Sequence, residues 1–263
     1  MDTFLQQIIN GLTLGSVYAI VALGYTMVYG IIQLINFAHG EVVMIGAMVA
    51  YSTIVALAGR AGLPPIFVLG AGVVAAIPVC MAVGYALERV AYRPLRHAPR
   101  LAPLITAIGL SIILQHLALI VWSRNPLPYP QIVPTVSYQV TSTAGGATIT
   151  NVQIAIIGGS LVTMALLLLL VYRTKLGIAM RAVAQNQQVA GLMGIDINRV
   201  ISLTFVIGAG LAAIAGVMVG SYYGIAHYQM GFILGLKAFS AAVLGGIGNL
   251  GGAMLGGLLL GVI

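Results

Sequence analysis

Eight of the eleven lysine and arginine residues fall in two short windows, 89–100 and 173–199, and long stretches around them carry almost no charge. Loops that face the cytoplasm hold an excess of Lys and Arg, so the pattern makes 89–101 and 173–199 the cytoplasmic loops of one membrane-embedded domain covering 1–263. The fold class that follows is all-α, a polytopic transmembrane helix bundle. Composition agrees, with 60% hydrophobic and 6% charged residues against about 25% charged in soluble domains. The net charge of +7 requires no nucleic acid, because the basic residues sit between apolar spans rather than along a polar face. The single Cys80 excludes a disulfide framework and zinc-type spacing. Residues 1–11 lack Lys and Arg, so the basic n-region of a cleavable signal peptide is missing.

A span needs about 20 mostly apolar residues. Candidates are 12–32, 42–58, 66–87, 102–122, 153–172 and 200–222, and a Gly-rich region from 233 onward brings the total to about seven segments. The second is short, so 33–41 is expected to be partly embedded. Two spans separate the basic loops, which puts both on one side and the segment 124–152 outside. That external loop carries Arg124, no acid, and Pro126, Pro128, Pro130 and Pro134, the composition of irregular chain. The same count puts the N-terminus outside and Arg60 and Lys237 outside or near an interface. Gly208, Ala212, Gly216, Gly220 and Gly224, and likewise Gly72, Ala76, Cys80 and Gly84, recur every four residues; such faces let helices approach closely in lipid. From Gly245 to Gly261 there are eight glycines, each costing a helix about 1 kcal/mol relative to Ala. A broken or re-entrant element is expected there, and irregular backbone at membrane depth marks a pathway. Gly245, Gly246 and Gly248 are therefore pathway or gating candidates.

Polar residues interrupt the apolar sequence at 36–41. Asn36, His39 and Glu41 are the other pathway or gating candidates, since a charge at mid-membrane costs about 2.5–3.5 kcal/mol and needs a partner or water. His39 and Glu41 are expected to pair, or Glu41 to receive amides at the start of the second span, as a structural cap. In 173–199, Ala182, Val189, Leu192 and Met193 share one face of a helical pattern, with Gln185, Asn186 and Gln187 exposed. Gly194 suits a helix end and Asp196 an N-cap. A short surface helix with an apolar edge is either a docking element or an interfacial helix on lipid headgroups. His97 and His227 read as solvated, and His116, beside Gln115, as a helix–helix hydrogen bond. Trp122, Tyr222, Tyr223 and Tyr228 fit an interfacial aromatic belt. No phosphate loop, His-Glu-x-x-His pattern or Gly-x-Ser-x-Gly elbow occurs.

The stretches GLTLGSVYA at 11–19, GYTMVYG at 24–30, INFAHGE at 35–41, ERVAYRPLR at 88–96, MGID at 193–196, LTFVIGA at 203–209 and KAFSAAVLGGIG at 237–248 resemble the permease subunits of branched-chain amino acid ABC importers. The likeness is greater to the first of the two paired permeases than to the second. It covers nearly the whole chain. The resemblance implies a heterodimer with a second permease subunit, two cytoplasmic ATPase subunits that bind the ATP, and a periplasmic or surface substrate-binding protein. It implies no cofactor and no enzymatic activity of the chain's own, residence in the bacterial inner membrane within the lipid bilayer, and a small-molecule amino acid substrate. It makes the helix around 182–193 a cytoplasmic coupling helix, with Arg181, Ala182, Val189, Ala190, Leu192, Met193 and Gly194 contacting an ATPase. Members of this family usually continue beyond the Gly-rich region, so the chain is expected to be a C-terminally truncated piece.

The reading is a translocating subunit for leucine, isoleucine and valine. Alternatives are an ABC permease for urea, amides or other amino acids, and an ion-coupled secondary transporter. Against the last, Glu41 is the one carboxylate away from the cytoplasmic loops and the chain terminus, thin support for proton or sodium coupling.

Overall fold

A computed structural model describes residues 2–58, 63–96, 98–99, 101–140 and 146–263. Arg60 and His97 lie outside them. Among the described residues ten α-helices make up the bundle: α1 Asp2–Ile32, α2 His39–Ala58, α3 Pro65–Leu87, α4 Leu101–Val121, α5 Asn151–Arg173, α6 Lys175–Gln185, α7 Gln187–Leu192, α8 Ile197–Tyr223, α9 Met230–Leu244 and α10 Leu250–Val262. α3 runs into a π-helical turn, Glu88–Tyr92. Six helices, α1 to α5 and α8, are long and apolar enough to cross a membrane, while α9 and α10 are shorter apolar helices.

Helix ends follow local chemistry. Thr150 and Gln153 form a reciprocal capping box at α5, and Asp196 receives the Arg199 amide at α8, each satisfying donors that a helix start leaves free. Asn186 accepts from the Val189 amide and thereby starts α7. Gly224 ends α8 in the left-handed conformation, φ 66°. α9 and α10 are joined by residues 245–249, where Gly246 and Gly248 take φ 85° and 97°.

α1 and α8 are buried along most of their length, and α10 packs along α1. α3 runs antiparallel to α2 and α8: Gly72 meets Ile54 and Ala50, and Gly84 meets Phe205 and Ala209. These contacts come from the small-residue faces, whose members Gly208, Ala212, Gly216, Gly220, Gly72, Ala76, Cys80 and Gly84 are buried; Gly224 serves as the helix stop instead. The two basic windows meet at one end of the bundle, where Arg96 Nη1 donates to Asn198 Oδ1 at 2.6 Å. At the other end the 124–152 segment is more ordered than its composition predicts. Leu127–Pro128 pairs with Ile225–Ala226, and Ser137–Gln139 pairs with Thr148–Thr150. It is tied to α1 by the Thr148 amide, which donates to Gln6 Oε1 at 2.8 Å.

A Cβ added at Gly216 would stand 2.2 Å from the Val43 carbonyl oxygen, whereas one at Gly70 would meet nothing within 4 Å. Gly216→Leu is expected to cost about 1–3 kcal/mol or more through overpacking, with Gly70→Ala neutral or slightly stabilising. Thermal unfolding of the detergent-solubilised proteins tests the contrast.

Candidate functional site: a buried polar layer and an exposed apolar patch

α2 begins inside the bundle rather than at its end. Glu41, in the first turn of α2, is fully buried. Its Oε1 accepts from Ser111 Oγ and Gln115 Nε2, both at 2.8 Å. Ser111 is the midpoint of α4, and the Cys80 thiol, near the middle of α3, reaches the Val42 carbonyl at 3.5 Å. Two spans therefore place Glu41 at their mid-depth. Its partners come from α4, not from His39 and not from the amides of its own helix; a neighbour 70 residues away lies outside any local pattern.

His39 is packed edge-on against Tyr25, ring centres 4.9 Å apart, in a space left by Gly24, where a Cβ would fall 2.2 Å from Nε2. His39 Nε2 and Glu41 Oε2 are buried without a protein partner, an uncommon state for polar atoms that calls for an explanation such as a catalytic or transport role. Asn36 is buried as well, its Oδ1 accepting from Tyr92 Oη at 2.9 Å. α9 crosses this layer with its backbone: a Cβ at Gly235 would lie 2.9 Å from the Gly40 Cα, and one at Gly231 2.6 Å from Glu41 Oε2. Gly245 abuts Gly252, and Gly248 faces Gly30. Gln33, between α1 and this layer, holds φ 52°, a left-handed conformation that disfavours any side chain.

Glu88 borders the first basic window, is wholly buried and collects two of that window's arginines. Arg93 Nε lies 3.2 Å from Oε1, Arg96 Nη2 also reaches Oε1, and Ser202 Oγ donates to Oε2 at 2.6 Å. Arg93 Nη2 donates to Ser202 as well, at 2.9 Å. Burial lowers the Arg96 pKa from the ordinary arginine value, with Glu88 opposing that change. At the opposite end, burial raises the pKa of the Tyr129 phenol.

The expected coupling face is split. Asn186 separates α6 from α7, so Ala182 and Val189 belong to different helices. Leu192 and Met193 are 87% and 78% exposed and Val189 is exposed beside them, whereas Ala190 is buried and Ala182 half-buried. Gly194 takes φ 84°. Arg181 lies over the Tyr172 ring, 5.3 Å from its centre. Gln187 Nε2 donates to the Ile31 carbonyl at 3.0 Å, joining α7 to the end of α1. A polar cavity of about 490 Å³ opens beside it, lined by Tyr29, Gln33, Arg96, Gln187 and Asn198 among others.

Two further expectations change. His116 is exposed and contacts the Ile112 carbonyl of its own helix at 2.8 Å; Gln115 makes the interhelical bond. Lys237 occupies the middle of α9, within reach of Tyr18. His227 is half-buried, its Nδ1 accepting from the Gln229 amide at 3.2 Å. Glu88, Ser202, Ser111 and Lys237 received no role from sequence, and the one available signal was their charge or polarity inside or beside an apolar run.

Apolar spans, basic loops on one side and a buried polar layer define a multi-pass membrane permease. The family model for the branched-chain amino acid transport system permease component matches residues 7–263, and the chain belongs to that family. It is 49% identical over 261 residues to the high-affinity branched-chain amino acid transport system permease protein BraD of Pseudomonas aeruginosa, and 47% identical over 259 residues to LivH of Escherichia coli K12. Each match covers 98% of this chain and 84% of the relative. A shorter match, 40% over 92 residues, links 35% of the chain to 26% of the autoinducer 2 import system permease protein LsrC of Klebsiella pneumoniae. No solved structure matches the chain significantly.

Glu88→Ala leaves two arginines facing one another around a lost carboxylate, and is expected to destabilise by about 3–5 kcal/mol. Gln115→Leu removes one bond to Glu41, expected to cost about 1.5–3 kcal/mol. Melting temperatures of the purified variants rank the two.

Proposed function

We propose that this chain is the membrane-spanning subunit of an ABC importer carrying leucine, isoleucine and valine across the bacterial inner membrane. The observation that carries the reading is 47–49% identity, over 98% of the chain, with permeases of high-affinity branched-chain amino acid systems. The chain binds no cofactor of its own in this proposal. ATP is hydrolysed by two cytoplasmic ATPase subunits, a second permease subunit completes the pathway as a heterodimer, and a periplasmic or surface binding protein delivers the amino acid.

The geometry suggests how force would travel. Leu192 and Met193, with Val189, offer an exposed apolar patch among polar neighbours, the form of a helix edge that seats in a groove. Movement of α7 would pull the end of α1 through Gln187 and Ile31. It would move α3 and α8 through Arg96–Asn198 and Glu88–Ser202. These elements bracket the 33–41 segment and the α9–α10 turn, so Asn36, His39, Glu41, Gly245, Gly246 and Gly248 sit where access to the two sides would switch. A second reading, an ABC permease for another small solute such as urea, an amide or a different amino acid, draws on the partial match to the autoinducer 2 permease.

In proteoliposomes holding the permease pair, its ATPases and the binding protein, radiolabelled leucine is expected to accumulate with internal ATP and in no other condition. Uptake without ATP that collapses with the ion gradient would overturn the proposal. Leu192→Asp combined with Met193→Asp is expected to lower ATP-driven uptake by about tenfold or more, the effect of removing buried anchors from an interface, while the protein still reaches the membrane. Wild-type uptake by that variant would remove the docking role.

A further inference from the structure

α9 places a cation where an apolar helix has least use for one. Lys237 is at the middle of Met230–Leu244 and is exposed. Its Nζ donates to Tyr18 Oη at 3.4 Å and lies 5.8 Å from the centre of that ring. Tyr18 is halfway along α1. From a second direction, Gly231 abuts Glu41 and Gly235 abuts Gly40, and Glu41 is bonded to the midpoint of α4. At 1.5 Å per residue, Lys237 is roughly 9 Å along the helix from Gly231. The Tyr18 hydroxyl is also hydrogen-bonded to Tyr223, the last residue of α8, so the ammonium lies between the buried polar layer and that end of α8.

The ion pairs among the described residues converge on Glu88, and none reaches Lys237. Ionisable side chains held inside membrane proteins face a bundle interior or a watery path rather than lipid. The bond to Tyr18 uses one of three ammonium hydrogens and leaves two for a ligand. Beside it on the exposed side of α9 are Ile233 and Leu236. A fixed cation flanked by aliphatic side chains complements a carboxylate joined to a short aliphatic group.

We propose that Lys237 is a substrate-binding residue of the translocation pathway, taking the α-carboxylate of an aliphatic amino acid, with Tyr18 as the residue that positions its ammonium. The substrate's side chain lies along Ile233 and Leu236. This rests on the permease reading above and names the chemistry by which the membrane subunit itself recognises what it carries.

The test is leucine uptake and ATP hydrolysis measured together in proteoliposomes of the complete transporter. The wild type must first accumulate leucine with ATP; its failure to do so overturns the permease reading and this one with it. Given that control, Lys237→Gln is expected to lower leucine carried per ATP hydrolysed by about tenfold or more, the scale of a lost charge-assisted hydrogen bond. Lys237→Arg is expected to recover most of it, and Tyr18→Phe to lose about threefold, as for a neutral hydrogen bond. The complex should assemble normally in all three. Wild-type coupling in Lys237→Gln overturns the assignment and leaves the permease reading standing. So does dissociation of the permease pair on gel filtration, which would make the lysine a contact to the second subunit. Should Lys237→Gln fail to reach the membrane, Tyr18→Phe decides: transport equal to wild type overturns the proposal.

Discussion

The carboxylate of Glu41 accepts two hydrogen bonds from α4 at the level where α3 and α4 are half-way across. Apart from these bonds α4 touches α2 and the turn at Glu88–Tyr92, and just past its end Trp122 Nε1 donates to Ser52 Oγ of α2 at 2.6 Å; apolar contacts in lipid distinguish poorly between protein and solvent. A buried polar group is different, because it has no acceptable partner in hydrocarbon. The position of α4 therefore depends on polar bonds at its centre.

A second charge cluster does comparable work where the two basic windows meet. Glu88 draws Arg93 and Arg96 inward and binds Ser202, so a turn that composition marks only as basic becomes a joint between α3 and α8. Arg96 then extends that joint to Asn198. The first basic window thus supplies cations that hold two spans together.

Much of the fold was legible in the sequence because spans in lipid are long and almost uncharged. The span expected over 66–87 is found as Pro65–Leu87, that over 102–122 as Leu101–Val121 and that over 153–172 as Asn151–Arg173. The first helix extends ten residues further toward its start than expected. Within those ten residues Gln6 accepts from the Thr148 amide of the 124–152 segment and Asn10 accepts from Gln153 in the first turn of α5. Caps were legible where the chemistry is local, as at Asp196 and Gly194. The long-range partners were not. Nothing near Glu41 announces Gln115, and nothing near Glu88 announces Ser202, 114 residues away. The division of 175–192 at Asn186 was hidden for a related reason, since one amide-accepting side chain restarts a helix without disturbing the apolar spacing.

Where α9 passes α2, the surfaces that meet are main chain at Gly40, Gly231 and Gly235. Helices that interlock through side chains are held in discrete registers, each ridge having to climb out of its groove before the next position is reached. Two bare backbones present almost no relief. Displacement of one along the other is a glide over a nearly level floor, resisted chiefly by whatever polar groups the motion uncovers. The bundle has other main-chain contacts, as between α1 and α10 at Gly15 and Gly261, but this seam of little mechanical friction runs directly past the buried carboxylate.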